Sequence, residues 1–348
     1  MIKLKPSVEK LQAYFVNDIP CRVKLDANEG SNYLLKDGFK IETFKPNLYP
    51  DSDSRALREK MAEYYECSPE NIMVGNGSSE IINTVINAYC DKNDKVMSFV
   101  PSFSMYQTYC DLCGANYIGI ETESDFSQNI DKLINAAIEQ NPKIVILCNP
   151  NNPTGYVTSR EDIIKLLDSV KNSLIILDEA YADFSEISVI DLINSYENLI
   201  VMRTLSKAFG LAGLRVGALI ANAETVKYIW KVKVPYNINI LSQYAAEQAL
   251  HNISKVDEYI NNVKILRKEL CEKLEMLNFQ VYRSGANFIF IKAPVDNLFE
   301  KLMECGVLIR KFNYEGVVYS RITVGTKEEN EILINEIKEI KKLIGDDL

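Results

Sequence analysis

Between residues 71 and about 220 the chain repeats one pattern. A short run of consecutive apolar residues is followed by a turn and then by a longer segment whose apolar positions recur at helical spacing. The runs at 71–75, 95–100, 117–120, 144–148, 174–177, 199–203 and 216–220 have strand length. Segments 78–90, 103–113, 131–140 and 161–170 read as helices, the last opened by Ser159 and Asp162 at capping-box spacing. Apolar runs without polar alternation belong to strands buried on both faces. The pattern therefore predicts an α/β fold with a mainly parallel sheet between helices.

After residue 252 the texture changes. A long, strongly charged helix is expected over 256–277, with strands at 280–283, 287–292, 307–311 and 320–324, a helix at 297–305 and a closing helix. This reads as a smaller α+β domain, tightly joined to the first because no low-complexity linker separates them.

Composition then removes many function classes. The 348 residues carry 39 Lys and Arg against 48 Asp and Glu, a net charge of -9, which gives no global attraction for nucleic acid or an anionic membrane. The apolar runs are too short to span a bilayer and the first residues lack a signal-peptide pattern, so a cytoplasmic location is expected. Eight scattered cysteines read as free thiols, and no metal site is expected. The single histidine, His251, follows an apolar-periodic segment and is expected at a helix C-terminus rather than in a site. Histidine-based catalysis is thereby largely excluded, and the chemistry needs another electrophile or base.

Four segments supply one. Lys207 lies in Thr204-Leu-Ser-Lys-Ala-Phe-Gly-Leu-Ala-Gly-Leu-Arg215, where small residues allow a flat ligand close to the backbone. A lysine amine there can form a Schiff base with an aldehyde, while Ser206 and Arg215 suit a phosphate. These are the requirements of pyridoxal phosphate. Asp178, at a strand end in Leu177-Asp-Glu-Ala-Tyr181, can pair with a pyridinium nitrogen, and Tyr181 can reach the ring's phenolic oxygen. Asn152, in Asn149-Pro-Asn-Asn-Pro-Thr-Gly155, offers its amide to the same oxygen. Gly75-Asn-Gly-Ser-Ser-Glu80 joins a strand to a helix, so Ser78 and Ser79 would present N–H groups and hydroxyls to a phosphate. As a dinucleotide fingerprint this segment fails, because Glu80 stands where the third glycine belongs.

In this order along the chain, the four segments resemble the fold type I pyridoxal-phosphate enzymes of the aspartate aminotransferase superfamily, most of all its histidinol-phosphate aminotransferase branch. Leu25-Asp-Ala-Asn-Glu29, Leu48-Tyr-Pro-Asp51, Lys231-Val-Lys-Val-Pro-Tyr-Asn-Ile-Asn239 and Arg321-Ile-Thr-Val-Gly325 extend the likeness over nearly the whole chain. The resemblance implies a seven-stranded sheet in a large domain over 41–252, a small domain over 253–348, and a segment 1–40 packing with the small domain. It makes Lys207 both Schiff-base lysine and proton shuttle. Asp178 becomes the pyridinium partner, Tyr181 and Asn152 the phenolate partners, and Ser78, Ser79, Ser206 and Arg215 the phosphate cradle. Phe103 would stack on the ring. Tyr49 would reach the cofactor of a neighbouring subunit, so a homodimer with shared sites is implied. Tyr14, Asn28, Arg310 and Arg321 would face the substrates, histidinol phosphate and 2-oxoglutarate or glutamate. The same cradle would also serve a threonine-phosphate decarboxylase or an aromatic aminotransferase, and a non-catalytic ligand-binding module is the reading from another class. Gly30 departs from the family pattern, where Asn or Pro is common.

Overall fold

The computed structural model describes residues 8, 11, 19–34 and 45–343. In chain order its strands are β1 (Val23–Lys24), β2 (Ile72–Gly75), β3 (Lys95–Val100), β4 (Asn116–Glu121), β5 (Ile144–Cys148), β6 (Leu174–Asp178), β7 (Leu199–Thr204) and β8 (Gly217–Ala221). The remainder are β9 (Gln280–Tyr282), β10 (Phe288–Lys292), β11 (Val307–Leu308), β12 (Arg310–Tyr314) and β13 (Val317–Thr323). Seven strands form one sheet in the order β2-β8-β7-β6-β5-β3-β4, in which β8 alone runs antiparallel to its neighbours. The expected mainly parallel sheet is present.

The uninterrupted apolar runs follow from this placement. Successive side chains of a strand leave opposite faces. On β5, Val145 and Leu147 enter one core while Ile144, Ile146 and Cys148 enter the other, and β6 divides likewise. Helices cover both faces, among them Gly77–Tyr89, Ile130–Gln140 and Arg160–Ser169. The last begins as its spacing predicts: the Asp162 amide donates to Ser159 Oγ at 3.1 Å and the Ser159 hydroxyl donates to the Asp162 carboxylate at 2.9 Å.

Strands β12-β13-β10-β9 form a separate antiparallel sheet backed by its own core. The helix Ile253–Met276 is common to both units. Its Val256, Ile260, Val263 and Leu266 pack into a core of the seven-stranded sheet, and Leu270 and Leu274 into the core of the smaller one. The expected strand over 307–311 divides, because β11 pairs in parallel with β1 while β12 enters the four-stranded sheet. The strand expected at 320 begins at Val317, since Glu315 and Gly316, with φ of 50° and 77°, close a two-residue hairpin turn. His251 caps the C-terminus of the helix Ile240–Leu250.

Candidate active site

Strands β2, β3, β5, β6 and β7 all end on the same edge of the sheet, where open α/β sheets hold their ligands. The loops that follow them enclose a cavity of about 360 Å³. Its wall includes Lys207, Asp178, Tyr181 and Asn152, together with Ser78, Ser79, Phe103, Ser206 and Arg215. Residues spread over more than a hundred positions of sequence thus meet around one space.

Lys207 Nζ donates to the Ala27 carbonyl at 3.1 Å and lies 5.6 Å from the centre of the Tyr181 ring. Burial, with the nearby positive charges of Arg321 and Arg215, pushes its pKa down to about 7, against a partial opposing effect from Glu29. The amine is therefore substantially neutral, and nucleophilic, at neutral pH. Its backbone is closely packed: a Cβ on Gly30 would sit 2.3 Å from the Lys207 carbonyl oxygen and 3.0 Å from Gly210 Cα. The departure at Gly30 thus has a steric reason.

Asp178 is buried, and its carboxylate accepts from the Tyr106 hydroxyl at 2.6 Å and from the Ala180 amide at 3.2 Å. Burial raises its pKa above the usual carboxylate value, while these two donors and the Lys207 charge act in the opposite direction. Tyr106, fully buried on the helix Met105–Cys113 with Phe103 edge-on at 5.5 Å, was not expected from the sequence. No motif marks it. Only its position one helical turn beyond Phe103 hints that the two could share a face.

At the opposite end, Ser78 and Ser79 stand in the first turn of Gly77–Tyr89, whose unpaired N–H groups favour an anion. Gly77 has φ of 78°, and a Cβ there would lie 2.4 Å from Arg215 Nη2, so the missing side chain lets the guanidinium approach the turn. Thr204, also unexpected from the sequence, lines the cavity. Its hydroxyl donates to Ser206 Oγ at 2.9 Å and accepts from the Ser206 amide at 3.1 Å. Beneath this edge, Arg203 bridges Glu179 and Asp183 in a buried network that joins β7 to the segment following β6.

The residues expected on the substrate side divide. Asn28 Nδ2 donates to the Tyr181 oxygen at 3.1 Å, and the Thr323 hydroxyl donates to Asn28 Oδ1 at 3.3 Å. Asn28 has φ of 53°, a left-handed conformation that asparagine tolerates better than most residues. Arg321 donates to Asn152 Oδ1 at 2.5 Å and to the Asp26 carbonyl at 2.8 Å, with its guanidinium near the Phe288 and Phe312 rings. Asn28 and Arg321 therefore reach the cavity through Tyr181 and Asn152 rather than forming its wall. Arg310 is the cross-strand partner of Arg321, so the two side chains leave the same face of their sheet. Tyr49 is 80% exposed, stacks on Tyr236 at 4.6 Å and does not line the cavity of its own chain. Tyr14 lies outside the described residues.

The family model for aminotransferase class I and II matches residues 34–337. The chain belongs to this family. A histidinol-phosphate aminotransferase from a Thermoanaerobacter species is 42% identical over 348 residues, covering 97% of this chain and 98% of that protein. Among solved structures, the histidinol-phosphate aminotransferase of Sinorhizobium meliloti in complex with pyridoxal-5'-phosphate aligns with a TM-score of 0.91 over 99% of each chain, at 20% identity. A decarboxylase from Sulfurospirillum multivorans aligns with a TM-score of 0.79 at 27% identity, over 94% of this chain and 97% of that one. The cofactor of this aminotransferase is pyridoxal 5'-phosphate. The cavity fits that group: a lysine of depressed pKa projects into it, a buried carboxylate lies on one side, and a helix N-terminus with an arginine packed on Gly77 lies on another. Among the described residues no helix is long and apolar enough to cross a membrane.

Proposed function

We propose that this aminotransferase exchanges an amino group between L-histidinol phosphate and 2-oxoglutarate in L-histidine biosynthesis, as a cytoplasmic homodimer. The observation that carries the reading is the combination of 42% identity over nearly the whole length with a complete lysine, aspartate, tyrosine and asparagine set around one cavity.

Bound pyridoxal phosphate supplies an aldehyde that captures amines covalently and a ring that accepts electrons from the adjacent carbon. The chain's residues do the rest. Lys207, its pKa lowered by burial and by Arg321, would be the nucleophile that holds the aldehyde and the group that moves a proton to and from the substrate. Asp178 favours a protonated ring nitrogen, and Tyr106 and the Ala180 amide fix the carboxylate for that contact. Tyr181 and Asn152 would hold the phenolic oxygen. Ser78, Ser79, Ser206 and Arg215 would hold the phosphate, and Phe103 would offer the ring an apolar face. On the substrate side, the Arg321 guanidinium suits the phosphate of an amino alcohol, and Arg310 on the same sheet face adds a second cation for the larger charge. Asn28, through Tyr181, completes this side. Tyr49 serves the site of the neighbouring subunit.

A threonine-phosphate decarboxylase would use the same cradle, and the likeness to a solved decarboxylase makes it the competing outcome. An aromatic aminotransferase is the other. The test is to mix the cofactor-loaded protein with histidinol phosphate, phenylalanine or threonine phosphate and analyse the products. Rapid conversion of histidinol phosphate to its keto product, with the cofactor left bound in its pyridoxamine form, supports the assignment. Preferential conversion of phenylalanine, or carbon dioxide release from threonine phosphate, refutes it.

A further inference from the structure

The four-stranded sheet presents one face to the cavity side of the molecule, and that face is aromatic. Phe126, on the turn between β4 and the helix Ile130–Gln140, enters it and is 3% exposed. Its ring lies 4.9 Å from Tyr282 of β9, 5.3 Å from Phe290 of β10, 5.1 Å from Tyr319 of β13 and 6.0 Å from Tyr314 of β12. Three of the four contacts are edge-to-face, the favourable geometry for aromatic pairs. One residue of the larger unit thereby touches all four strands of the smaller sheet.

The turn is built to hold that ring. Phe126 has φ of 64°, a left-handed conformation unusual for an aromatic residue. Its amide donates to the Glu123 carbonyl at 2.8 Å, and the Ser127 amide and hydroxyl donate to the Asp125 carboxylate at 2.9 and 2.6 Å. Gln128, two residues on, accepts from the Thr158 hydroxyl at 2.7 Å, and the Thr158 amide donates to Asn149 at 2.8 Å. Asn149 opens the turn that carries Asn152. A second tie lies alongside: the Tyr314 hydroxyl, next to the hairpin turn of β12 and β13, donates to the Glu121 carboxylate at the end of β4.

These contacts close a ring. On one side Arg321 of β13 meets Asn152; on the other, Phe126 fastens the same sheet to the turn that is wired back to Asn149, and Tyr314 fastens it to the end of β4. We propose that Phe126 is a positioning residue for substrate recognition: it seats the sheet that carries Arg310 and Arg321, so that Arg321 meets Asn152 of the cavity wall. It touches neither the cavity wall nor the reacting atoms, so its loss should act on substrate binding ahead of chemistry. This rests on the substrate assignment proposed above only for the choice of assay.

The test uses the cofactor-loaded dimer with Phe126→Leu, which keeps apolar volume but removes the ring edges, and Phe126→Tyr, which keeps the ring. Two readouts are taken: steady-state kinetics with histidinol phosphate, and hydrogen exchange of peptides spanning 310–323. Phe126→Leu should raise KM about tenfold with kcat within about threefold of the parent, leave cofactor absorbance unchanged, and speed exchange over 310–323, while Phe126→Tyr restores the parent values. Unchanged KM and exchange overturn the proposal, as does a joint fall of kcat and cofactor binding. If the parent protein does not convert histidinol phosphate, the substrate assignment fails separately. The same comparison is then made with whichever of phenylalanine or threonine phosphate the parent converts: a raised KM at near-parental kcat together with faster exchange supports the positioning role, and an unchanged KM or equal exchange refutes it.

Discussion

The decisive single residue is a lysine whose hold on its proton the fold weakens. An ordinary lysine titrates at 10.5, and burial together with Arg321 brings Lys207 to about 7. Amine labelling of the cofactor-free protein, followed by peptide mapping, should therefore show Lys207 reacting with a midpoint near 7 while surface lysines react only at much higher pH. Arg321→Ala should move that midpoint upward by removing a neighbouring cation; a midpoint near 10 in the parent protein sinks the assignment. The sign for stability follows, because the folded protein binds fewer protons here than the unfolded chain does between the two values. The cofactor-free protein should gain stability from this group as pH rises from about 7 toward 10.5, with no further gain above. Asp178 gives a second prediction. Asp178→Asn should retain cofactor but slow proton abstraction by several orders of magnitude, since a neutral amide no longer favours a charged ring nitrogen. Tyr106→Phe should be milder, because one hydrogen bond to a charged group is worth about 1.5–3 kcal/mol, roughly ten- to a hundredfold in rate. Pre-steady-state rates measured with α-deuterated substrate separate the two. Equal effects would contradict the ranking. Lys207 and Asp178 were legible in the sequence because Asp178 ends a strand beside an acidic neighbour and Lys207 follows one among small residues. Tyr106 was not, since its partner lies 72 positions away and only the packing of a helix on the sheet brings them together.

At the scale of elements, legibility followed periodicity. Runs such as 95–100 and 144–148 gave their strands to the residue, because a parallel strand buried on both faces is apolar at most positions and ends at a turn. The small sheet was harder. Its strands alternate, β12 leaves a neighbouring pairing after a single residue, and the Glu315-Gly316 turn lacks the Asn-Gly or Asp-Gly pair that marks such hairpins most strongly. Close approaches between elements were invisible as well. Gly30 departs from the family pattern, yet the segment carrying it packs its Cα against the carbonyl of Lys207. Gly30→Ala should displace the lysine backbone, because neither the carbonyl nor Gly210 is a flexible side chain that could give way. A loss of cofactor affinity of roughly five- to 150-fold is expected, the scale of the 1–3 kcal/mol that overpacking typically costs. Titration of the cofactor-free variant with pyridoxal phosphate, followed by absorbance, reads it directly. Binding equal to the parent would show that the loop moves freely.

On the scale of the whole molecule, one described residue is at odds with a complete single-chain site. Tyr49, expected to serve a cofactor, projects 80% exposed from its own chain. Its ring stacks on Tyr236, and Leu48, Val232 and Val234 nearby in sequence to these two are also about half exposed. Apolar groups concentrated in these two segments suit burial against a second copy, and a two-fold axis would place each Tyr49 against the other chain. If so, a functional site needs Lys207 from one chain and Tyr49 from the other. Lys207→Ala and Tyr49→Ala homodimers should then each be inactive or severely weakened, for different reasons. In a hybrid of the two, the chain that keeps Lys207 meets the intact Tyr49 of its companion, so one of the two sites is restored. Random exchange at equal amounts makes about half of the dimers hybrid, each with one good site, so recovery should approach about a quarter of parental activity. The measurement is activity against time after mixing, alongside native mass spectrometry to follow hybrid formation. Activity that rises in step with the hybrid population establishes the shared site. Full subunit exchange without recovery would place Tyr49 outside the partner's chemistry.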